Sequence, residues 1–243
     1  MEDKINKVLF VVLILCMVML PGCRDHNNEI ITDNHVLLFH GLAMSSMIMY
    51  PLELYLEDLG YTVYNIGYPS TSETIEEIVN GHVQPWIKKV YRETGNPVHI
   101  VTHSMGGIIV RYYLGKNGNE HVKSMVMIAP PNRGSMMASI LKEYSLARWF
   151  FGPALKQLSV DGENIIDELQ PLQVPTGIIA GCYSINPVNS FLIPGDDDGT
   201  VAVSHTIAPG MLDHVVVPKS HSGILFDQRV HRMVASFLAS GEF

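Results

Sequence analysis

Ser104 stands where a predicted strand runs straight into a predicted helix. From position 98 the chain reads Val-His-Ile-Val-Thr-His-Ser-Met-Gly-Gly-Ile-Ile-Val, with glycines two and three residues after the serine. A serine on so sharp a turn is pushed clear of the sheet, and its neighbours must be small because the helix and strand backbones nearly touch. The amide of Met105 then lies at a helix N-terminus, where it can stabilise negative charge. The pattern favours a nucleophile, with a serine that caps an ordinary helix as the alternative.

A serine hydroxyl is a weak nucleophile unless an imidazole takes its proton and an acid orients that imidazole. His221 follows the predicted strand His214–Val217 and precedes a predicted closing helix over Gly223–Ala239. Three consecutive aspartates, Asp196–Asp198, come after the predicted strand Thr176–Ala180. Ligands of open α/β sheets bind beyond the carboxyl ends of the strands, so both groups lie where chemistry is expected.

The elements that must position these residues alternate between strand and helix. Val36–Phe39 is an apolar run without polar alternation, as in a strand covered on both faces, which favours a parallel sheet. A helical pattern over residues 75–90 contains Gly81 and Pro85, where we expect a bend or break. The remaining predicted strands and helices are Tyr50–Leu59, Tyr61–Ile66, Val98–Val101, Met105–Leu114 and Val122–Ile128. The alternation predicts an α/β domain with right-handed crossovers.

The His-Ser-Met-Gly-Gly core around Ser104 resembles the nucleophile elbow of the α/β-hydrolase superfamily. Thr102 stands where the usual pattern has its first glycine, which is a departure from it. The Pro130–Ser135 segment, Pro-Pro-Asn-Arg-Gly-Ser, resembles the lipase/esterase-like branch, and the likeness extends over residues 36–243. The resemblance implies an α/β-hydrolase fold: a mostly parallel central sheet, helices on both of its faces and a small helical cap.

The same resemblance implies roles for the candidate site residues. Enzymes of this superfamily carry serine, acid and histidine in that order along the chain, which selects Ser104, Asp198 and His221 as catalytic. Their acid directly precedes a short x-x-Val step, which favours Asp198, with Asp197 as the close rival. A His-Gly pair after an early strand shapes the loop of the oxyanion hole in these enzymes. The two backbone amides expected to hold the oxyanion are those of Leu42 and Met105.

Several residues near these positions are expected to be structural. We expect the side chain of His40 to bond the backbone, that of His103 to turn away from the acyl site, and Cys182 to be buried at a strand end. The other aspartates beside the catalytic acid are expected to form a solvated turn. A calcium loop is not favoured, because the alternation of ligands is missing. No metal ion and no cofactor are expected.

The function implied by the resemblance is that of a serine hydrolase, a lipase or esterase that cleaves carboxylic esters through an acyl-enzyme. Its substrate would be a small-molecule or lipid ester. An acyltransferase or thioesterase would use the same residues, so that alternative stays open. A lipoprotein that keeps the fold as a non-catalytic binding module is the third interpretation.

The chain between the predicted strands Val122–Ile128 and Thr176–Ala180 is longer than the dozen or so residues that a crossover needs. We expect a cap insertion there, over about residues 132–172. Its apolar side chains either form a lid or acyl-chain pocket over Ser104 or complete the domain core. They are Leu141, Tyr144, Leu146, Trp149, Phe150 and Phe151.

The first segment is expected to be a targeting signal. Two lysines precede the apolar run Val8–Leu20, which is too short to span a membrane. Leu20-Pro21-Gly22-Cys23 resembles the lipobox of bacterial lipoproteins, which implies a signal peptide over residues 1–22 and a lipid on Cys23. An ordinary cleaved signal and an uncleaved anchor are the alternatives. Residues 23–35 then form a linker to the domain at 36–243.

The lipobox implies a cell-envelope location, with the domain held to a membrane on its extracytoplasmic side by the lipid anchor on Cys23. Arg24 directly after the box favours the outer membrane in a Gram-negative host. Nucleic acid is not an expected partner, because 16 Lys+Arg against 24 Asp+Glu leave a net charge of −8 and no basic face. A hydrophobic fraction of 47% with 16% charged residues also excludes a disordered chain.

Overall fold

The computed structural model describes residues 34–162 and 164–243. The predicted signal peptide, Cys23 and most of the predicted linker lie outside the described residues. No helix within the described part of the chain is long and apolar enough to cross a membrane.

Six strands form one sheet in the order β2-β1-β3-β4-β5-β6, and every neighbouring pair is parallel. The strands are β1 His35–Phe39, β2 Thr62–Ile66, β3 Val98–His103, β4 Val122–Ile128, β5 Thr176–Gly181 and β6 Asp213–Val217. Val36–Phe39 of β1, the apolar run predicted to be covered on both faces, is buried, and so are all residues of β3 and β5. The sheet confirms the predicted α/β-hydrolase fold.

The α-helices of the described residues range from four to 13 residues in length. They are α1 Tyr50–Asp58, α2 Ile75–Ile78, α3 Gln84–Thr94, α4 Met105–Asn117, α5 Met136–Leu141, α6 Ser145–Phe151, α7 Ala154–Gln157, α8 Pro187–Leu192, α9 Val203–Thr206 and α10 Gln228–Ser240. A π-helical turn, Val79–Val83, joins α2 to α3 and contains Gly81, where an interruption was expected. Helices α5, α6 and α7 all lie between β4 and β5.

Helices cover both faces of the sheet, as predicted. Side chains of a strand alternate between faces, so Leu37 and Phe39 of β1 join one apolar cluster and Val36 and Leu38 join the other. The first cluster includes residues of α2, α3, α4 and α7. The second includes residues of α1 and α10. The sheet is therefore the middle of three layers, and its carboxyl-end loops are free to carry a site.

Two expectations from the sequence are wrong in detail. The closing helix is not continuous over Gly223–Ala239, because a 3₁₀ turn at Gly223–Phe226 precedes α10. Asp227 stands at the break, where its carboxylate accepts the amide of Arg229 at 2.8 Å and caps α10. Cys182 follows β5 but is partly exposed and not buried, since the strand has already ended at Gly181.

Candidate active site

Ser104 has a backbone conformation that few non-glycine residues adopt. It lies between β3 and α4 with φ 52° and ψ −123°. Its amide donates to the carbonyl of Ile128 at 2.9 Å, and its own carbonyl accepts the amide of Gly107 at 3.0 Å. The neighbouring strand and the helix therefore hold the strained turn in place, which is the geometry expected of a functional site.

Gly106 is required by the close approach of two backbones, whereas Gly107 lies against side chains. A Cβ on Gly106 would lie 2.5 Å from the carbonyl oxygen of Phe39, and one on Gly107 would lie 2.5 Å from the Cε of Met127. Thr102, the departure from the usual pattern, is fully buried in β3, and its Oγ1 would be only 3.3 Å from a Cβ on Gly107. The absence of a side chain at 107 thus leaves room for the threonine.

The structure brings Ser104, His221 and Asp198 together in one chain of hydrogen bonds. The Oγ of Ser104 lies 2.9 Å from Nε2 of His221, and Nδ1 of His221 lies 2.7 Å from Oδ2 of Asp198. Both contacts are satisfied when His221 carries its proton on Nδ1, because Nδ1–H then donates to the carboxylate and Nε2 accepts from the serine. This tautomer is the one that a general base needs.

The Asp198 carboxylate is oriented by the turn that follows it. Its Oδ1 accepts the amides of Thr200 and Val201 at 2.9 and 2.8 Å, which leaves Oδ2 for His221. The carbonyl of Asp198 also accepts the amide of His221 at 2.9 Å. The carboxylate is almost completely buried, so these contacts and the imidazole satisfy a charge that water does not reach.

Asp197, the rival acid, has a different set of partners. Its Oδ1 accepts the amide of Gly199 at 2.7 Å and the hydroxyl of Ser190 at 3.1 Å. The side chain is buried, so the expected solvated turn is wrong for Asp197 and holds for the exposed Asp196. Within the described residues no group of acidic, histidine or cysteine side chains could hold a metal ion.

His103 makes a hydrogen bond to the backbone of His221 that reasoning from the sequence missed. It is fully buried beneath the site, and its Nε2–H donates to the carbonyl oxygen of His221 at 2.8 Å. Burial, followed by the nearby His221, lowers the pKa of His103 to about 3, so the ring is neutral at pH 7. A polar residue at the end of a wholly buried strand was the signal that could have revealed this contact.

The loop after β1 comes close to Ser104. A Cβ on Gly41 would lie 3.1 Å from both the Cβ of Ser104 and Nδ1 of His103, so glycine lets the loop approach. His40 is fully buried and bonds the carbonyl of Gly41 through Nδ1 at 2.9 Å, as expected of a structural residue. Its ring stacks on Tyr68, with centroids 4.0 Å apart, and the tyrosine hydroxyl donates to the His40 carbonyl. The sequence had not indicated a role for Tyr68.

The candidate oxyanion amides occupy suitable places around Ser104. Met105 is the first residue of α4, and the first amides of a helix have no partner within it. Leu42 follows Gly41 and lines the same cavity as Ser104. Both residues whose amides are expected to form the oxyanion hole therefore lie next to Ser104 or its cavity.

A cavity of about 260 Å³ opens above Ser104 and His221. Its lining is predominantly apolar, and much of it belongs to the segment between β4 and β5. The lining residues from that segment are Pro131, Ser135, Met137, Ala138, Leu141, Phe151, Leu155 and Leu158. Because Ala138, Leu155 and Leu158 are also in the main apolar cluster, this segment forms a pocket wall and completes the core at the same time.

The Pro-Pro-Asn-Arg-Gly-Ser segment attaches this pocket wall to the body. Asn132 is buried, accepts from the guanidinium of Arg111 at 2.9 Å and donates to the carbonyl of Thr206 at 2.6 Å. Ser135 caps α5 and donates to the carbonyl of Thr200, next to the turn that holds Asp198. The wall of the cavity and the turn that contains Asp198 are therefore linked by a hydrogen bond.

Comparison with known proteins agrees with the architecture. The sequence profile of the alpha/beta hydrolase fold family matches residues 34–163, more than half of the 243 residues. The chain therefore belongs to the alpha/beta hydrolase fold family. A comparison with curated proteins gives no significant match.

Solved structures with this fold include lipases and an esterase. A Bacillus licheniformis lipase in its mature form has a TM-score of 0.70 and 17% identity, over 90% of this chain and 95% of that one. A metagenomic carboxyl esterase has a TM-score of 0.65 and 17% identity, over 83% of this chain and 68% of that one. Aspergillus fumigatus lipase B has a TM-score of 0.68 and 16% identity over 92% of this chain, which spans only 56% of that protein.

Proposed function

We propose that this protein is a serine hydrolase that cleaves carboxylic esters through an acyl-enzyme. The observation that carries the proposal is the unbroken chain of hydrogen bonds from Ser104 through His221 to Asp198, beside an apolar cavity. Serine activated by an oriented imidazole is the arrangement required for acyl transfer. The likeness to lipases and a carboxyl esterase supports the same class of substrate.

In the acylation step, the Oγ of Ser104 attacks the carbonyl carbon of the ester while its proton passes to Nε2 of His221. Asp198 stabilises the resulting imidazolium. The imidazolium then gives that proton to the alcohol oxygen, the ester C–O bond breaks and the alcohol leaves. A water molecule repeats the sequence on the acyl-serine, with His221 taking its proton and returning it to Ser104, which releases the carboxylic acid.

We assign the oxyanion hole to the backbone amides of Leu42 and Met105. Negative charge develops on the acyl oxygen only in the tetrahedral intermediate, so fixed N–H groups there stabilise the transition state more than the ground state. The apolar cavity wall supplied by Leu141, Phe151 and Leu155 suits the hydrocarbon part of the acyl group. The chemistry of this sequence of steps needs no cofactor.

We further propose that the chain is an extracytoplasmic lipoprotein, held to a membrane by a lipid on Cys23. The apolar run Val8–Leu20 and the Leu-Pro-Gly-Cys sequence support this location. Mass spectrometry of the N-terminal peptide from cells expressing the full chain tests it. A diacylated Cys23 is the expected result, and an intact Met1 N-terminus would contradict it.

The hydrolase assignment is tested with p-nitrophenyl butyrate and the full-length protein. We expect Ser104→Ala to lower kcat by about 10⁴-fold, as for loss of a nucleophile in other serine hydrolases. Ser236→Ala, on the exposed side of α10, is the matched control and should keep wild-type turnover. Turnover by the Ser104 variant within about tenfold of wild type would contradict the proposal.

A further inference from the structure

Two short helices beside the cavity are apolar in sequence but have no buried residue. Helix α6 reads Ser-Leu-Ala-Arg-Trp-Phe-Phe, and α8 reads Pro-Val-Asn-Ser-Phe-Leu. Trp149 on α6 is 80% exposed and Phe191 on α8 is 89% exposed. Single exposed apolar residues are common, but a contiguous exposed set is the mark of a surface that binds something.

One residue of each helix lines the cavity of Ser104. Phe151, at the end of α6, lines the cavity, and its ring meets the exposed ring of Phe150 edge to face at 5.0 Å. Asn189 of α8 also lines the cavity, while Val188 and Phe191 are exposed. We call the exposed set the apolar rim. It consists of Leu146, Trp149, Phe150, Ile185, Val188 and Phe191.

The charge of the two segments is unlike that of the rest of the chain. The whole sequence has 24 acidic residues and a net charge of −8. Residues 144–155 contain a single charged group, Arg148, and residues 181–195 contain none. The two helices of the rim therefore carry no carboxylate, and the exposed Glu143 and Asp196 stand just outside these segments. The protein as a whole would be repelled by an anionic surface.

We propose that the apolar rim docks on a phospholipid surface and holds the mouth of the cavity against it. The inference rests on the proposed ester hydrolysis, since the lipid layer is then the source of the substrate. Exposed tryptophan, phenylalanine and leucine side chains are the ones by which peripheral helices enter a lipid interface. A protein seated on both helices would cover the cavity mouth, whereas a lipid layer delivers acyl chains to it.

The first test uses the two tryptophans of the chain, Trp86 and Trp149. Trp86 lies on α3, where its ring contacts Tyr64 of the edge strand β2. Full-length Trp86→Phe retains only Trp149, and Trp149→Phe is its matched control. Vesicles of ether-linked, brominated phosphatidylglycerol and phosphatidylcholine serve as quencher, because ether lipids cannot be hydrolysed.

We expect the emission of Trp149 to shift to the blue and to fall by about twofold or more on vesicles, and that of Trp86 to stay nearly constant. If the protein sediments with the vesicles while Trp149 emission is unchanged, the rim is not the docking surface. Because these lipids are not substrates, this result is independent of ester hydrolysis. A failure of Ser104→Ala to abolish turnover would therefore contradict the proposed function and leave the docking surface standing.

The second test compares Leu146→Glu with Leu212→Glu. Both leucines are exposed, but Leu212 precedes β6 and so lies at the amino ends of the strands, away from the site. We expect Leu146→Glu to keep wild-type turnover of soluble p-nitrophenyl acetate and to lose about tenfold or more of its turnover of a vesicle-borne ester. Equal losses in both variants would overturn the proposal. So would a wild-type dimer in light scattering that Leu146→Glu dissociates, since the rim would then bind protein.

Discussion

His103 and His221 are joined by a hydrogen bond from a ring nitrogen of the first to the backbone carbonyl of the second, at 2.8 Å. Their rings also lie in contact, with centroids 4.9 Å apart. Because His103 is fully buried and its pKa is lowered to about 3, it serves as a neutral donor. It therefore fixes the backbone that carries the proposed general base without adding charge beside it.

We expect His103→Phe, which removes this donor, to lower kcat on p-nitrophenyl butyrate on the order of 10²-fold, as for displacement of a catalytic group by about 1 Å. KM should change little, because His103 does not line the cavity. His103→Gln, which keeps an N–H donor, should recover part of the loss. The apparent pKa of the kcat/KM profile should be the same in all three proteins, because a neutral ring is being replaced. A shift in that pKa, or wild-type kcat for the phenylalanine variant, would contradict the positioning role.

The two adjacent aspartates can be separated by matched amide substitutions. Asp198→Asn should lower kcat by about 10⁴-fold, because an amide cannot hold His221 in the required tautomer. Asp197→Asn keeps an oxygen that can accept from Gly199 and Ser190, so we expect kcat within about tenfold of wild type. Steady-state kinetics on one ester measures both. A larger loss for the Asp197 variant would mean that the acid has been assigned to the wrong residue.

Alanine substitutions at two glycines of α4, Gly106 and Gly115, should have opposite effects on stability. Gly106→Ala places a methyl group against the Phe39 carbonyl and should destabilise the fold by about 1–3 kcal/mol. Gly115 has only ordinary contacts, the nearest to Gln170 at 3.4 Å, so Gly115→Ala should raise the free energy of unfolding by about 0.5–1 kcal/mol. Urea denaturation measures both changes. Equal stability of the two variants would contradict the close approach of α4 and β1.

Ion pairs of Asp227 link the loop that carries His221 to the start of α10. Asp227 contacts Lys219 at 2.8 Å and Arg229 at 2.9 Å, and hydrogen bonds from Arg229 and then Lys219 hold the pKa of its carboxyl well below the usual range. A carboxyl whose folded-state pKa is depressed stabilises the fold above its unfolded pKa of about 4 and loses that contribution as the pH falls further. Asp227→Asn should therefore be less stable than wild type at pH 7, and the difference should shrink below about pH 4. Urea midpoints at pH 7, 5 and 3 measure it, and a difference that grows as the pH falls would contradict the ion pairs.

Reasoning from the sequence located Ser104, His221 and the aspartates because each follows a strand, and in a parallel sheet all such ends meet at one edge. What it missed depends on contacts between distant parts of the chain. The bond from His103 to His221 joins residues 118 positions apart, and the stacking of His40 on Tyr68 joins two different loops. The burial of Asp197 likewise depends on Ser190 of α8.

The segment between β4 and β5 likewise shows which features the sequence could predict and which it could not. Its apolar residues predicted a role at the site or in the core, and Leu141 and Phe151 do line the cavity. The sequence pattern could not distinguish these from Leu146 and Trp149, which are exposed. Helices of six or seven residues have too few turns for hydrophobic periodicity to indicate which face is covered.

Covalent labelling with a fluorophosphonate probe decides whether Ser104 is a nucleophile activated by His221. The wild-type protein should lose ester hydrolysis as it gains one probe, and peptide mass spectrometry should find the phosphonyl group on Ser104. Under the same conditions His221→Ala should remain unlabelled, because the serine proton then has no acceptor. Label on another residue, or hydrolysis that continues after Ser104 is fully modified, would contradict the serine hydrolase assignment.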